Sequence, residues 1–125
     1  MSNLSLTEKI PDYFADVEFE RCTPACKKVQ MSSRLLYRLN SARHMAGVPF
    51  ILNSAYRSVD WEHSKGRSGK GYHTKGRAVD IRCVDSDARW KIINAATACG
   101  LNGIGIAKTY IHLDDRDIPS IWLYE

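Results

Sequence analysis

Two stretches of the chain carry apolar residues at helical spacing. Between Lys28 and Ala46, the residues Val29, Leu35, Leu36, Leu39, Ala42 and Met45 share one face, with Ser32 or Ser33 placed to cap the start and Gly47 to end it. This predicts the longest helix, laid by its leucine face against a sheet. A second helix is predicted from Asp85 to Cys99. Asp85, Ser86 or Asp87 would cap it, Ala88, Trp90, Ile92, Ile93, Ala95, Ala96 and Ala98 would fill it, and Gly100 would end it. Trp90 and the isoleucines are expected to pack on the sheet.

Shorter runs read as strands. Val48 to Ser54 is apolar after a short turn, Ala78-Val79-Asp80-Ile81 and Tyr110-Ile111-His112-Leu113-Asp114 alternate apolar and polar, and Ile121 to Tyr124 forms a last short run. Gly103 to Ala107 and Tyr110 to Asp114 predict a hairpin around Lys108-Thr109. Ahead of these, Leu4 to Lys9 reads as a lead-in in which Thr7 and Glu8 begin a helix that Pro11 stops. Tyr13 to Phe19 has aromatics at both ends and is expected to pack. Val59 to Gly71 reads as a polar, glycine-containing loop. The sum is an α+β fold, a small, mainly antiparallel sheet packed against helices.

At 125 residues the chain suits one domain spanning 1–125 with a real core and is too short for two. Apolar residues at 44% and charged residues at 26% argue against disorder and against a membrane protein. No apolar run is long enough to span a bilayer, and Met1 to Glu8 lacks the basic start and apolar middle of a signal peptide, so the expected location is cytoplasmic as synthesised. In that setting Cys22, Cys26, Cys83 and Cys99 read as reduced, partly buried thiols, with a second metal on Cys22 and Cys26 as the lesser alternative.

The net charge of +4 concentrates in Lys65-Gly66-Arg67-Ser68-Gly69-Lys70 and continues through Lys75 and Arg77. This patch reads either as a solvated loop or as an attractor for a polyanion such as cell wall or nucleic acid.

The candidate chemistry lies between Tyr72 and Ile81 and again at Ile111 to Asp114. His73 and His112 offer imidazole nitrogens and Asp80 a carboxylate oxygen, a set that suits zinc and leaves a fourth position for water. Gly71 and Gly76 let the chain turn so that a loop histidine meets a strand aspartate. Ser54, Tyr56 and Arg57 emerge at the end of a buried strand, well placed to line a cleft and contact substrate. Without further support, the histidines could be merely structural and Asp80 could pair with Arg77 or Arg82. His44, near a helix C-terminus, reads as a capping or surface residue, and Glu62 and His63 as loop residues outside the site.

These motifs together resemble the zinc D-Ala-D-Ala carboxypeptidase family of peptidoglycan peptidases, in particular its small single-domain phage and bacterial members, which share a fold with the hedgehog signalling domain. The resemblance rests on Ser54-Ala55-Tyr56-Arg57, on His73 to Asp80 with Gly76 and Ala78 between, on Gly103-Ile104-Gly105-Ile106, on Ile111-His112-Leu113-Asp114 and on Trp122. It implies a Zn2+ cofactor on His73, Asp80 and His112. It also implies a catalytic role for Arg57, holding a substrate carboxylate or the oxyanion of the tetrahedral intermediate.

The chain departs from the better-known branch in having Thr109, not an acid, three residues before His112. Asp114 lies two residues after His112 on the same strand face, and would orient His112 from behind or act as the base.

The leading expectation is therefore a monomeric zinc metallopeptidase acting on peptidoglycan stem peptides, as a D-Ala-D-Ala carboxypeptidase or an L-Ala-D-Glu endopeptidase. In a phage endolysin of this kind a holin would give access to the wall. A zinc-holding module that binds wall or protein without cutting is the alternative, and a basic nucleic-acid binder is the least favoured class.

Overall fold

A computed structural model describes residues 9–124. Its helices are α1 (Asp16–Glu20), α2 (Ser33–Ala46), α3 (Val59–Ser64) and α4 (Ser86–Ala98), with 3-10 turns at Lys28–Gln30 and Tyr72–Lys75. Its strands are β1 (Leu52–Ser54), β2 (Ala78–Arg82), β3 (Gly103–Ile106), β4 (Tyr110–Asp114) and β5 (Ser120–Leu123). They form one sheet in the order β1-β2-β4-β3-β5. Every neighbouring pair is antiparallel except β3 and β5, which run parallel. The expected α+β architecture with a mainly antiparallel sheet is the one observed. The expected lead-in at Leu4 to Lys9, with its helix start at Thr7 and Glu8, lies outside the described residues apart from Lys9.

The two long helices begin and end where side-chain chemistry allows. The Ser32 hydroxyl accepts the Leu35 amide at the start of α2, and Gly47 ends the helix in the left-handed region at φ 69°. The Asp85 carboxylate accepts the Ala88 amide at the start of α4. Val29 precedes the Ser32 cap, so it falls outside the helix and is 86% exposed. Trp90 also departs from expectation at 68% exposed. At about 100° per residue it sits about 200° around α4 from Ile92, on the far side from the buried Ile92, Ala95 and Ala96.

Strand alternation gives the sheet two unlike faces. Leu52, Val79, Ile81, Ile104, Ile111 and Leu113 are buried in one apolar cluster with Leu35, Leu39 and Ala42 of α2 and with Ile92, Ala95 and Ala96 of α4. Phe14 and Phe19 join that cluster, so the aromatic segment near the N-terminus packs, as expected. The opposite face carries Ser54, Asp80, Tyr110, His112 and Asp114, with Gly103 and Gly105 beneath side chains that cross them. No helix formed by the described residues is long and apolar enough to cross a membrane.

The segment from Val59 to Gly71 is more ordered than its composition suggests. Ser58 caps α3 by accepting the Trp61 amide, and the helix turns Glu62 inward, where it is buried.

Candidate metal centre

The polar face of the sheet brings the three expected ligands together by register. Asp80 on β2 is paired directly with His112 on β4. Opposite residues on one face of an antiparallel pair stand close enough for their side chains to meet. His73 comes from the 3-10 turn before β2. That turn ends at Gly76, whose φ of 67° and close approach to the Gln30 carbonyl leave no room for a β-carbon. All three side chains are buried, and one ligand atom from each lies within 4.8 Å of the others.

Hydrogen bonding fixes which atom each residue can offer. His73 Nδ1 is 2.7 Å from the Ala55 carbonyl, which only accepts, so Nδ1 carries the proton and Nε2 keeps its lone pair. His112 Nε2 donates to Asp114 Oδ2 at 2.7 Å, which leaves Nδ1 as the free nitrogen. Asp80 Oδ2 accepts from Arg57 Nη2 at 2.7 Å, which leaves Oδ1.

The remaining atoms face one another. Asp80 Oδ1 is 3.4 Å from His73 Nε2 and 3.2 Å from His112 Nδ1. A tetrahedral site with bonds of about 2.0–2.1 Å separates its donors by about 3.3 Å. The donor set thus fits zinc in number and chemistry, and both separations from Asp80 Oδ1 match that spacing.

Each orienting partner is itself held. Asp114 is completely buried and accepts from the Arg116 amide at 3.1 Å, Nε at 2.9 Å and Nη2 at 2.7 Å, besides His112. Arg116 lies between two aromatic rings, 5.0 Å from the centroid of Tyr72 and 4.7 Å from that of Trp122. The Trp122 ring is in turn 5.3 Å from His112. Gly105 leaves the space for this, because a β-carbon there would come within 2.7 Å of the indole nitrogen.

The charges follow from these bonds. Burial pushes Asp80 and Asp114 upward, but the imidazoles of His112 and His73 beside Asp80, and hydrogen bonds from Arg116 and His112 to Asp114, outweigh it and hold both carboxyls well below the usual range. Burial disfavours the charged form of His112, yet its hydrogen bonds to Asp114 and Asp80 raise it above its ordinary value.

The sign of the pH effect is set by these shifts. The raised His112 stabilises the metal-free protein below the ordinary histidine pKa of about 6.5, and that contribution is lost as pH rises through the raised value. The depressed carboxylates contribute above about 3.9 and lose their effect as pH falls. A metal must displace the His112 proton. The extra thermal stability conferred by added zinc is therefore expected to grow from mildly acidic to mildly alkaline pH, read as the difference in Tm between zinc-loaded and chelator-treated protein. A difference that shrinks with rising pH would contradict this assignment.

The other expected residues are placed less uniformly. Ser54 is buried and its hydroxyl accepts from Arg57 Nε at 2.9 Å. Arg57 also bonds Asp80, as above, and its Nη1 is 3.5 Å from Glu62 Oε1. Asp80 thus pairs with Arg57, while Arg77 bonds Asp115 at 2.7 Å. Tyr56 is packed against the apolar cluster. Thr109 is exposed in the turn before β4, where its carbonyl accepts the Cys83 amide.

Glu62, read from sequence as a loop residue outside the site, is buried beside Arg57 and Arg67 and paired with both. This pairing and that of Arg77 consume part of the basic patch. His63 bonds the Ser68 carbonyl. His44 meets the Tyr13 hydroxyl at 2.7 Å. All four cysteines are free thiols, and the only grouping of metal-ligating side chains among the described residues is His73, Asp80 and His112.

Two hollows open onto this face. One of about 340 Å3 is lined by His73, Asp80 and His112 together with Arg57, Tyr110 and Arg116, among others. A second of about 410 Å3 is lined by Thr23, Asn53, Ser54, Arg57, Asp80 and Tyr110, among others. They share Arg57, Asp80 and Tyr110, so one cleft can run past the candidate metal centre.

No curated protein matches the chain. The profile of the family described as Peptidase M15 matches residues 13–114, which span the buried aromatic segment, both long helices and all three residues whose free donor atoms converge. With most of its length matched, the chain belongs to the Peptidase M15 family, whose members are zinc peptidases of the D-Ala-D-Ala carboxypeptidase type.

Proposed function

We propose that this protein is a zinc-dependent peptidase that hydrolyses amide bonds in the stem peptides of peptidoglycan, either removing terminal D-Ala or cutting between L-Ala and D-Glu, in wall lysis or remodelling. The observation that carries this reading is the convergence of three ligand atoms, His73 Nε2, Asp80 Oδ1 and His112 Nδ1, within 4.8 Å of one another on the wall of an open hollow. Family membership supplies the substrate class.

Bound by these atoms, zinc would supply Lewis acidity, making water nucleophilic near neutral pH and polarising a carbonyl. The chain's own residues do the rest. The Ala55 carbonyl and Asp114 keep each imidazole in the tautomer that leaves a lone pair toward the site. Arg57 holds Asp80 by one nitrogen and Ser54 by another, and its remaining N–H groups suit a substrate carboxylate or a developing oxyanion. Asp114 acts as an orienting group, since its two oxygens already accept four hydrogen bonds and none of its surface is exposed. Arg67 and Arg116, which also line the hollow, add positive potential that favours an acidic peptide.

One observation favours a second reading, a zinc-holding module that binds wall without cutting it. The position that carries an acid in better-known relatives is Thr109, which is exposed outside the hollow.

The test is amine release from purified peptidoglycan by the protein as purified, after chelation, and after zinc is restored. The peptidase reading expects about one zinc per chain, release that stops on chelation, and recovery with zinc. Zinc binding without release from several wall types would overturn it in favour of the binding module.

A further inference from the structure

Resting on the peptidase reading, we infer that Tyr110 is a catalytic residue of this site, its phenolic hydroxyl donating a hydrogen bond to the scissile carbonyl oxygen as negative charge develops there.

The first support is position. β4 alternates, so Tyr110, His112 and Asp114 share the polar face while Ile111 and Leu113 enter the core. The β2–β4 register sets Tyr110 opposite Arg82, two residues from the paired Asp80 and His112. Thr109 is the third residue before His112 and falls in the exposed turn, so Tyr110 is the nearest side chain upstream of His112 on its own face.

The second support is that this hydroxyl is unspent. The charged groups around it already have protein partners for much of their hydrogen-bonding capacity: Arg57 bonds Asp80 and Ser54 and keeps only its remaining N–H groups, Glu62 bonds Arg67, and Arg116 bonds Asp114. Among the described residues, no protein group hydrogen-bonds the Tyr110 hydroxyl. A half-buried polar group left without a partner in a cleft is available to a ligand.

The third support separates Tyr110 from the other phenols nearby. Of these two hollows, Tyr72 and Tyr124 line the one that contains the two histidines and not the other, whereas Tyr110 lines both. A peptide running from one to the other must pass it. The Tyr124 ring packs against it, tilted by 40° with centroids 5.4 Å apart, which restricts the swing of the Tyr110 ring.

The chemistry balances without a proton from Tyr110. Water oxygen bonds to the carbonyl carbon, the carbon–nitrogen bond breaks, and the proton lost by water ends on the leaving amine. The phenol keeps its own proton and stabilises the oxyanion only while it exists. This is differential binding of the transition state, and removing one such donor typically costs about 10²–10³-fold in kcat.

The experiment compares wild type, Tyr110→Phe and Thr109→Ala on purified peptidoglycan, with zinc content and unfolding midpoint measured on each. Binding of a phosphinate stem peptide, with tetrahedral phosphorus at the bond the wild type cuts, is measured by calorimetry. Tyr110→Phe is expected to lower kcat about 10²-fold with KM changed by less than about threefold, and to weaken phosphinate binding by a similar factor at unchanged zinc content. Thr109→Ala is expected to match wild type.

A Tyr110→Phe enzyme with kcat within about threefold of wild type would overturn the assignment. So would a loss of kcat that comes with loss of zinc or of folded protein, because Tyr110 would then act through the scaffold. A wild type that releases no amine would instead overturn the peptidase reading itself.

Discussion

His73→Ala is expected to yield a folded protein that holds no zinc at micromolar metal and releases amine from peptidoglycan only at background rate. His73 supplies one of three converging donor atoms, and two remaining ligands, Asp80 and His112, leave two positions of a tetrahedron to water. Loss of an outer partner alone typically costs 10–100-fold in metal affinity or activity, so loss of a ligand should exceed about 100-fold.

The fold should survive His73→Ala. The histidine sits on a short turn outside the sheet, and its side chain's one protein hydrogen bond besides the ligand grouping is to the Ala55 carbonyl, while its backbone bonds to Arg57 and Gly76 do not depend on the side chain. Leaving the Ala55 carbonyl unpaired costs about 1–3 kcal/mol, visible as a lower unfolding midpoint with an unchanged far-ultraviolet spectrum. A His73→Ala protein that retains about one zinc per chain and full turnover would remove His73 from the site. Retained zinc with lost turnover would move its role from holding metal to binding substrate.

The candidate ligands were legible chiefly through the ordered motifs that carry the family resemblance, with local patterns in support. Asp80 and His112 occupy alternating strands, and His73 lies between glycines that permit a tight turn. The long helices were legible from such local patterns, since Ser32, Gly47 and Asp85 cap as their side chains dictate. What escaped was set by partners distant in sequence or by which way a short element faces. α3 is six residues of mostly polar character, too short to show a period, and Glu62 is buried only because Arg57 and Arg67 come to meet it. Tyr56 was expected in the cleft because it sits between Ser54 and Arg57, but it lies beyond the end of β1, where strand alternation no longer sets its direction, and it packs against the apolar cluster. Arg116 had no local signal. Its value comes from Asp114 beside it, Tyr72 and Trp122 around it, and Gly103 and Gly105 below.

That last dependence supports a strong prediction away from the ligands. Gly103 on β3 is paired with Asp114 on β4, and a β-carbon at Gly103 would overlap the Asp114 carboxyl and the Arg116 Nε. The carboxylate cannot step aside cheaply, because it is bonded at once to His112 and to three nitrogens of Arg116 and is fully buried. Gly103→Ala should therefore separate Asp114 from Arg116 or from His112. Breaking a buried ion pair by displacing one member typically costs about 3–5 kcal/mol, more than the loss of helix or strand propensity at any single glycine. With His112 no longer held through Nε2, zinc affinity should also fall about 10–100-fold. Urea unfolding of the metal-free protein reads the first effect, and competition with a chromophoric chelator reads the second. Arg116→Met separates the two causes, since it removes the clamp without adding a clash. It should lower zinc affinity in the same direction and leave Asp114 bonded to His112 alone. If Gly103→Ala instead keeps the wild-type midpoint and zinc affinity, the strand has room that the register denies, and Asp114 is not the group that orients His112.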